Sequence, residues 1–189
     1  EPQTLVQDVV DGLRFAKDDD RIKGVVLDLG SLGRSGLSQL QRVGDAIDDF
    51  RTSDKPVIAV ADFYGQGAFY LAARADEIYM HPDGAVLLSG FGSYRNYYKS
   101  AIDKLLIDWN IFRVGTHKSA VEPFMLDQMS DEDRQSTAML VDQLWSRFQA
   151  DVVEARALPD GALDAMLDDF VSELEAVEGD LAELALKHG

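Results

Sequence analysis

Short β-branched runs, each closed by a glycine turn and followed by a helical period, constrain this chain more than any other feature. Val25-Val26-Leu27-Asp28-Leu29 reads as one strand, and Gly30, Gly33 and Gly36 punctuate the loop behind it. Leu37, Leu40, Val43, Ile47 and Phe50 then fall on one helical face. Pro56 starts a second run, Val57-Ile58-Ala59-Val60-Ala61, apolar throughout and so suited to a strand buried on both faces. Gly65-Gln66-Gly67 turns the chain again, into a short helix through Tyr70, Leu71 and Ala75. Strand, glycine turn and helix in repetition predict an α/β layered fold with a largely parallel sheet.

The remainder fits around that frame. Leu5, Val9, Leu13 and Ala16 recur at helical spacing ahead of the first strand. Strand-like pieces follow at Glu77–Met80 and Ala85–Leu88, then a helix through Tyr98, Ile102, Leu105 and Leu106, and a strand near Ile111–Val114. Ser130-Asp131-Glu132-Asp133 resembles a capping box with aspartate in the distal position. It opens a long helix whose apolar face carries Val141, Leu144, Trp145, Phe148 and Val152. From Pro159 the sequence is acidic and rich in Ala and Leu, predicting two short helices separated at Gly179. No long linker and no internal repeat interrupts the pattern. Residues 1–189 therefore read as one domain, with 130–189 a mostly helical packing or oligomerisation region.

Charge removes several function classes. Among 189 residues, Asp and Glu number 34 against 18 Lys and Arg, a formal charge of −16. A phosphate-tracking nucleic-acid binder needs a basic surface, and so does a protein held on anionic lipid. The absence of cysteine excludes disulfides, thiolate-bound zinc, iron–sulfur clusters and a thiol nucleophile, and leaves the compartment open. No apolar run approaches the roughly eighteen residues of a membrane-spanning helix. The opening Glu1-Pro2-Gln3-Thr4 has neither Met nor a basic leader, as in a processed or trimmed chain.

Candidate chemistry is sparse. His81, His117 and His188 lie far apart, at no helical ligand spacing, so no metal is expected. Asp48-Asp49 and Asp168-Asp169 sit on predicted helices, where solvated surface is the commoner role. No phosphate-binding G-x-x-x-x-G-K-[ST] occurs, and the two G-x-G triplets lack a third glycine, so no nucleotide cofactor is expected. Lys118 stands apart, in a loop of small and hydroxyl residues behind the expected strand at Ile111–Val114. A loop lysine is more often a solvated surface group. It becomes a general base where desolvation or a neighbouring cation disfavours its charged form, and Val114, Val121, Phe124 and Arg113 are the nearby residues able to supply those effects.

The run Val114-Gly115-Thr116-His117-Lys118-Ser119-Ala120-Val121-Glu122-Pro123-Phe124 closely resembles the lysine motif of the bacterial signal peptide peptidase A (protease IV) family, in its long, duplicated form. The resemblance covers nearly the whole chain. Arg21–Leu29 is similar to the family's first recognisable strand, and Gly65–Ala72 with Ala75–Met80 to its elbow, helix and next strand. Tyr97-Tyr98-Lys99-Ser100 with Asp103-Lys104-Leu105 matches the helix ahead of the lysine loop, and Asp180–Gly189 the closing helix.

The resemblance implies a crotonase/Clp-protease-like fold with a helical C-terminal portion, and peptide cleavage by a Ser–Lys dyad. In the long form the first half supplies the lysine, here Lys118. The second half holds the serine on a glycine-rich elbow, a position occupied here by Gln66. Gly30-Ser31-Leu32-Gly33-Arg34-Ser35-Gly36 likewise departs from the Asn/Ser-Pro-Gly-Gly loop that lines the oxyanion site in catalytic halves. The implied protein is an N-terminal half, inactive alone, acting on hydrophobic signal peptides together with its C-terminal half as a homo-oligomer. It would face the periplasm at the bacterial inner membrane, attached only through a segment absent from this chain. Ser119 is a rival nucleophile in principle, but a direct sequence neighbour on one loop tends to point away from Lys118. Two other readings stay open: a non-catalytic scaffold in which Lys118 is structural, and, more distantly, an acyl-CoA enzyme on the same fold.

Overall fold

The structure, a computed structural model, describes residues 4–112, 114–115 and 118–188. Three parallel strands form its main sheet in the order β1-β2-β4: β1 (Val25–Asp28), β2 (Val57–Ala61) and β4 (Glu77–Met80). Val25 lies opposite Val57, and Ile58 opposite Glu77. Gly24 makes the first pairing possible, because a Cβ there would sit 2.9 Å from the Pro56 carbonyl that accepts the Val25 N–H. β2 is central, and its alternation differs from the expected burial on both faces. Val57 and Ala59 are fully buried on one side, while Ile58 and Val60 are half-buried on the other. A second pair, β3 (Tyr64–Gly65) with β5 (Val86–Leu87), is also parallel. Burial pushes the Tyr64 phenol up to about 12, and its hydroxyl donates to the Tyr79 carbonyl at 2.9 Å.

Helices make the crossovers. α1 (Val6–Asp18) packs on α2 (Leu37–Arg51), which joins β1 to β2, and α3 (Gln66–Ala72) lies between β2 and β4. Val10, Leu13 and Ala16 from α1 share the core with Leu40, Ile47 and Phe50 from α2. Each fully buried large side chain among these contributes about 1.5–3 kcal/mol. The Lys55 ammonium closes the C-terminus of α1, donating to the carbonyls of Ala16, Lys17 and Asp19 at 2.8–2.9 Å.

The chain divides into two compact units, Glu1–Ser89 with Arg147–Gly189, and Gly90–Ser146. In the second lie α4 (Lys99–Lys104), a 3-10 turn (Ser119–Val121), α5 (Glu122–Met125) and the start of α6 (Asp131–Arg156). α4 is shorter than its apolar spacing suggests. Leu106 adopts a left-handed φ of 55°, and the Ile107 N–H turns back to the Ile102 carbonyl, ending the helix. Among the described residues, the strand expected near Ile111–Val114 is not seen: Ile111, Phe112 and Val114 are irregular, and Phe112 and Val114 are 97% and 82% exposed. β-branched content without a neighbouring strand to pair with does not make a strand. Arg113 lies outside the described residues.

Within the first unit the end of α6 buries Phe148 and Val152, as its apolar spacing suggests. Three short helices follow instead of two: α7 (Ala162–Asp168), α8 (Phe170–Ala176) and α9 (Leu181–His188). Asp169, at φ −94° and ψ 5°, divides the first pair, and Gly179 at φ 89° precedes the third. The α/β class, the parallel sheet and the helical C-terminal portion are all present.

Candidate active site

Lys118 sits at the mouth of a tightly folded turn. Its backbone, at φ −90° and ψ 80°, is the last non-helical position before the 3-10 turn Ser119–Val121, which runs directly into α5. Pro123 falls in the first turn of α5, where its missing N–H is of no consequence. The Lys118 side chain is exposed, whereas Glu122, four residues on, is only 1% exposed.

Hydrogen bonds pin this turn at three points. Glu122 Oε1 accepts the Ser130 hydroxyl at 2.7 Å, and Oε2 accepts the Ser130 N–H at 3.2 Å. Arg95 Nη1 donates to the Ser119 carbonyl at 3.4 Å and to Asp133 Oδ2 at 3.3 Å. The Tyr98 N–H donates to the Pro123 carbonyl at 2.7 Å. Below the turn, Phe124 stacks on Trp109 with centroids 4.9 Å apart and on Tyr98 at 6.3 Å.

The start of α6 corrects one expectation. Ser130 Oγ accepts the Asp133 N–H at 3.1 Å, which is half of a capping box. The reciprocal half is absent, because the Ser130 N–H goes to Glu122 and Asp133 pairs with Arg95. A carboxylate from outside the helix has taken the place of the one three residues along it.

The other predicted positions lie in the first unit. The Gly30–Gly36 loop leaves the C-terminal end of β1 and is exposed throughout. Gln66 opens α3 as its first helical residue, behind an N-cap at Gly65, so it does not cap the helix as a turn glutamine would. Because β1 and β2 are parallel neighbours, this loop and the chain leading to the elbow emerge at the same edge of the sheet, the edge where open α/β folds bind ligands. Ser119 lies within the 3-10 turn, half-buried, its carbonyl engaged by Arg95. Thr116 and His117 fall outside the described residues, and the exposure of Val114 removes it as a source of apolar packing around Lys118. Sequence reasoning gave no role of their own to Arg95 or Glu122, and to Ser130 only that of a helix cap. The available signal was a lone carboxylate between Val121 and the apolar pair Pro123-Phe124.

Among the described residues no group of three or more His, Asp or Glu side chains is placed to hold a metal ion. Nor is any described helix long and apolar enough to cross a membrane.

Residues 49–187 match the sequence profile of peptidase family S49. Over 181 residues, 96% of the chain, it is 40% identical to Protease 4 of Salmonella typhi, covering 29% of that protein. It is 39% identical over 182 residues to Protease 4 of Haemophilus influenzae, again across 96% of the chain and covering 30% of the relative. The chloroplastic serine protease SPPA of Arabidopsis thaliana is 22% identical over 160 residues, 85% of the chain and 24% of that protein. The chain therefore spans about three tenths of the length of its two nearer-matching relatives. Among solved structures, an enoyl-CoA hydratase/isomerase family protein from Silicibacter pomeroyi aligns over 97% of this chain and 86% of its own, at 16% identity and a TM-score of 0.34.

Proposed function

Because the chain belongs to peptidase family S49, we infer that it is the lysine-bearing, N-terminal half of a serine peptidase working through a Ser–Lys dyad, with Lys118 as general base. The observation that carries this reading is an exposed lysine at the mouth of a turn held at Ser119, Glu122 and Pro123. A base must be held at a reproducible position and yet be reachable by its nucleophile. The nucleophile would be a serine in the C-terminal half, since Gln66 occupies the elbow here and an amide cannot attack a carbonyl.

In the assembled site the neutral lysine amine takes the serine hydroxyl proton as the oxygen attacks the scissile carbonyl. The resulting ammonium then returns that proton to the leaving amine, and water cleaves the acyl-enzyme by the same route. Backbone N–H groups stabilise the tetrahedral oxyanion. A lysine acts as a base where burial or a nearby cation disfavours its charged form, and the surface covering Lys118 would come from the second half. The substrates we propose are cleaved signal peptides, extended and apolar, bound by backbone pairing to a strand edge with pockets for alternate side chains. We place the complete protein at the bacterial inner membrane, facing the periplasm, as a homo-oligomer.

One observation favours a second reading. The exposed Gly30–Gly36 loop and Gln66 lack the groups of a catalytic elbow, as in a non-catalytic scaffold. Mixing this chain with a separately produced C-terminal half and assaying a hydrophobic signal peptide tests the proposal. The expected result is no turnover by the chain alone and turnover on mixing. Turnover by the chain alone, abolished by Ser119→Ala, would place the nucleophile here instead.

A further inference from the structure

Glu122 is almost wholly buried, and burying a carboxylate is unfavourable unless donors meet it. The Ser130 hydroxyl and N–H both do so, one on each carboxylate oxygen. The same Ser130 hydroxyl receives the Asp133 N–H, so the carboxylate is tied into the first turn of α6. A Leu or Met of similar size would fill the space but would leave the Ser130 N–H without its acceptor. Beyond volume, the carboxylate contributes fixed bonds to Ser130 that join the residue four positions after Lys118 to the start of a 26-residue helix. Its own backbone belongs to the same structure: it directly follows the 3-10 turn, and its carbonyl accepts the Leu126 N–H at 2.9 Å. Displacing Glu122 therefore displaces the turn, and with it the backbone from which Lys118 projects.

We propose that Glu122 is a positioning residue for Lys118, acting through its paired hydrogen bonds to Ser130. The proposal rests on Lys118 being the base. In this role Glu122 sets where the lysine backbone stands, and Arg95, which bridges the Ser119 carbonyl and Asp133, ties the same turn to the first turn of α6.

The test uses the full-length protein and a hydrophobic signal-peptide substrate, with active sites counted by a serine-reactive probe so that kcat refers to folded enzyme. Glu122→Gln keeps the volume but presents an NH2 to one of the two Ser130 donors. A displacement of about 1 Å at a reacting group costs up to about a hundredfold, so kcat should fall by roughly ten- to a hundredfold with KM within about twofold. Ser130→Ala reads the same link from its other end and should lower kcat in the same way, which keeps the test decisive if Glu122→Gln does not fold. The double variant should be no worse than the poorer single one, because both changes break one link. Unchanged kcat in both folded variants, a loss confined to KM, or fully multiplicative losses would overturn the positioning role. Lys118→Ala separates the two layers. If it is inactive while both variants match the unmodified enzyme, only the Glu122 role fails; if it stays active, the base assignment fails first.

Discussion

Tyr70 and Asp151 stand 81 positions apart in sequence, and the buried Tyr70 hydroxyl donates to Asp151 Oδ2 at 2.5 Å. Around that bond the charges close on one another. Arg147 pairs with Asp151 Oδ1 at 2.9 Å, and Gln41 donates to Oδ2, the oxygen that Tyr70 uses, at 3.3 Å. Arg74, itself buried, lies 4.3 Å from the centre of the Tyr70 ring and donates to the Tyr70 hydroxyl and carbonyl. Burial and the Asp151 carboxylate together push the Tyr70 phenol far above its ordinary value. Within the first unit, this cluster fixes the end of α6 to α3 and α2.

Asp151→Ala should destabilise the chain by about 3 kcal/mol or more, because it leaves the Tyr70 hydroxyl and Gln41 without their acceptor in a buried setting. Tyr70→Phe removes one donor and leaves Asp151 with two others, so about 1–2 kcal/mol is expected. Urea unfolding of the chain checks both. Equal and negligible losses would mean the cluster does not hold α6.

Gly44→Ala tests the same cluster from α2. A Cβ at that position would stand 2.7 Å from Arg74 Nε, and Arg74 cannot withdraw without breaking its bonds to Asp48 and Tyr70. Overpacking of this kind costs about 1–3 kcal/mol. An unchanged urea midpoint would show that the guanidinium moves freely.

Asp76 predicts part of the response to acid. Its carboxyl is held below the usual carboxylate range, first by the Val57 N–H on Oδ2 and then by Arg51 on Oδ1. A depressed folded value stabilises the native state above the unfolded carboxylate pKa, and that stabilisation is lost as pH falls through the folded value. Urea midpoints between about pH 5 and pH 2.5 should therefore fall less steeply in Asp76→Asn than in the parent chain, although the variant starts lower at neutral pH. Parallel slopes would contradict this.

Much of the architecture was legible because it is local. Apolar runs ending in glycine marked β1, β2 and the start of α3, and periodic Leu, Ile and Phe marked α1 and α2. Some misses are local, such as the early end of α4 at Leu106, and others turn on which groups meet once the chain has folded. Ile111, Phe112 and Val114 carry strand-forming side chains but do not pair, and the Ser130 cap is completed by Glu122 instead of Asp133. Asp151 carries no signal of its own in the sequence, and only folding shows it buried against Tyr70. The lysine motif was legible as a string of residues, yet the hydrogen bonds that pin its turn at three points were not.

Ser119→Ala in the full-length protein should leave kcat/KM within about twofold, since its backbone carbonyl, which the substitution keeps, is the group that Arg95 holds. A loss of a hundredfold or more would make Ser119 part of the chemistry.

The most direct test is Lys118→Ala in the full-length protein, assayed on a hydrophobic signal peptide with its thermal unfolding followed in parallel. Lys118 is exposed in this chain, so the chain's own packing does not depend on it and truncation should not lower the melting temperature. Loss of a general base should lower kcat by at least about a hundredfold. Activity within twofold of the unmodified enzyme, in a protein that melts normally, would contradict Lys118 as the base.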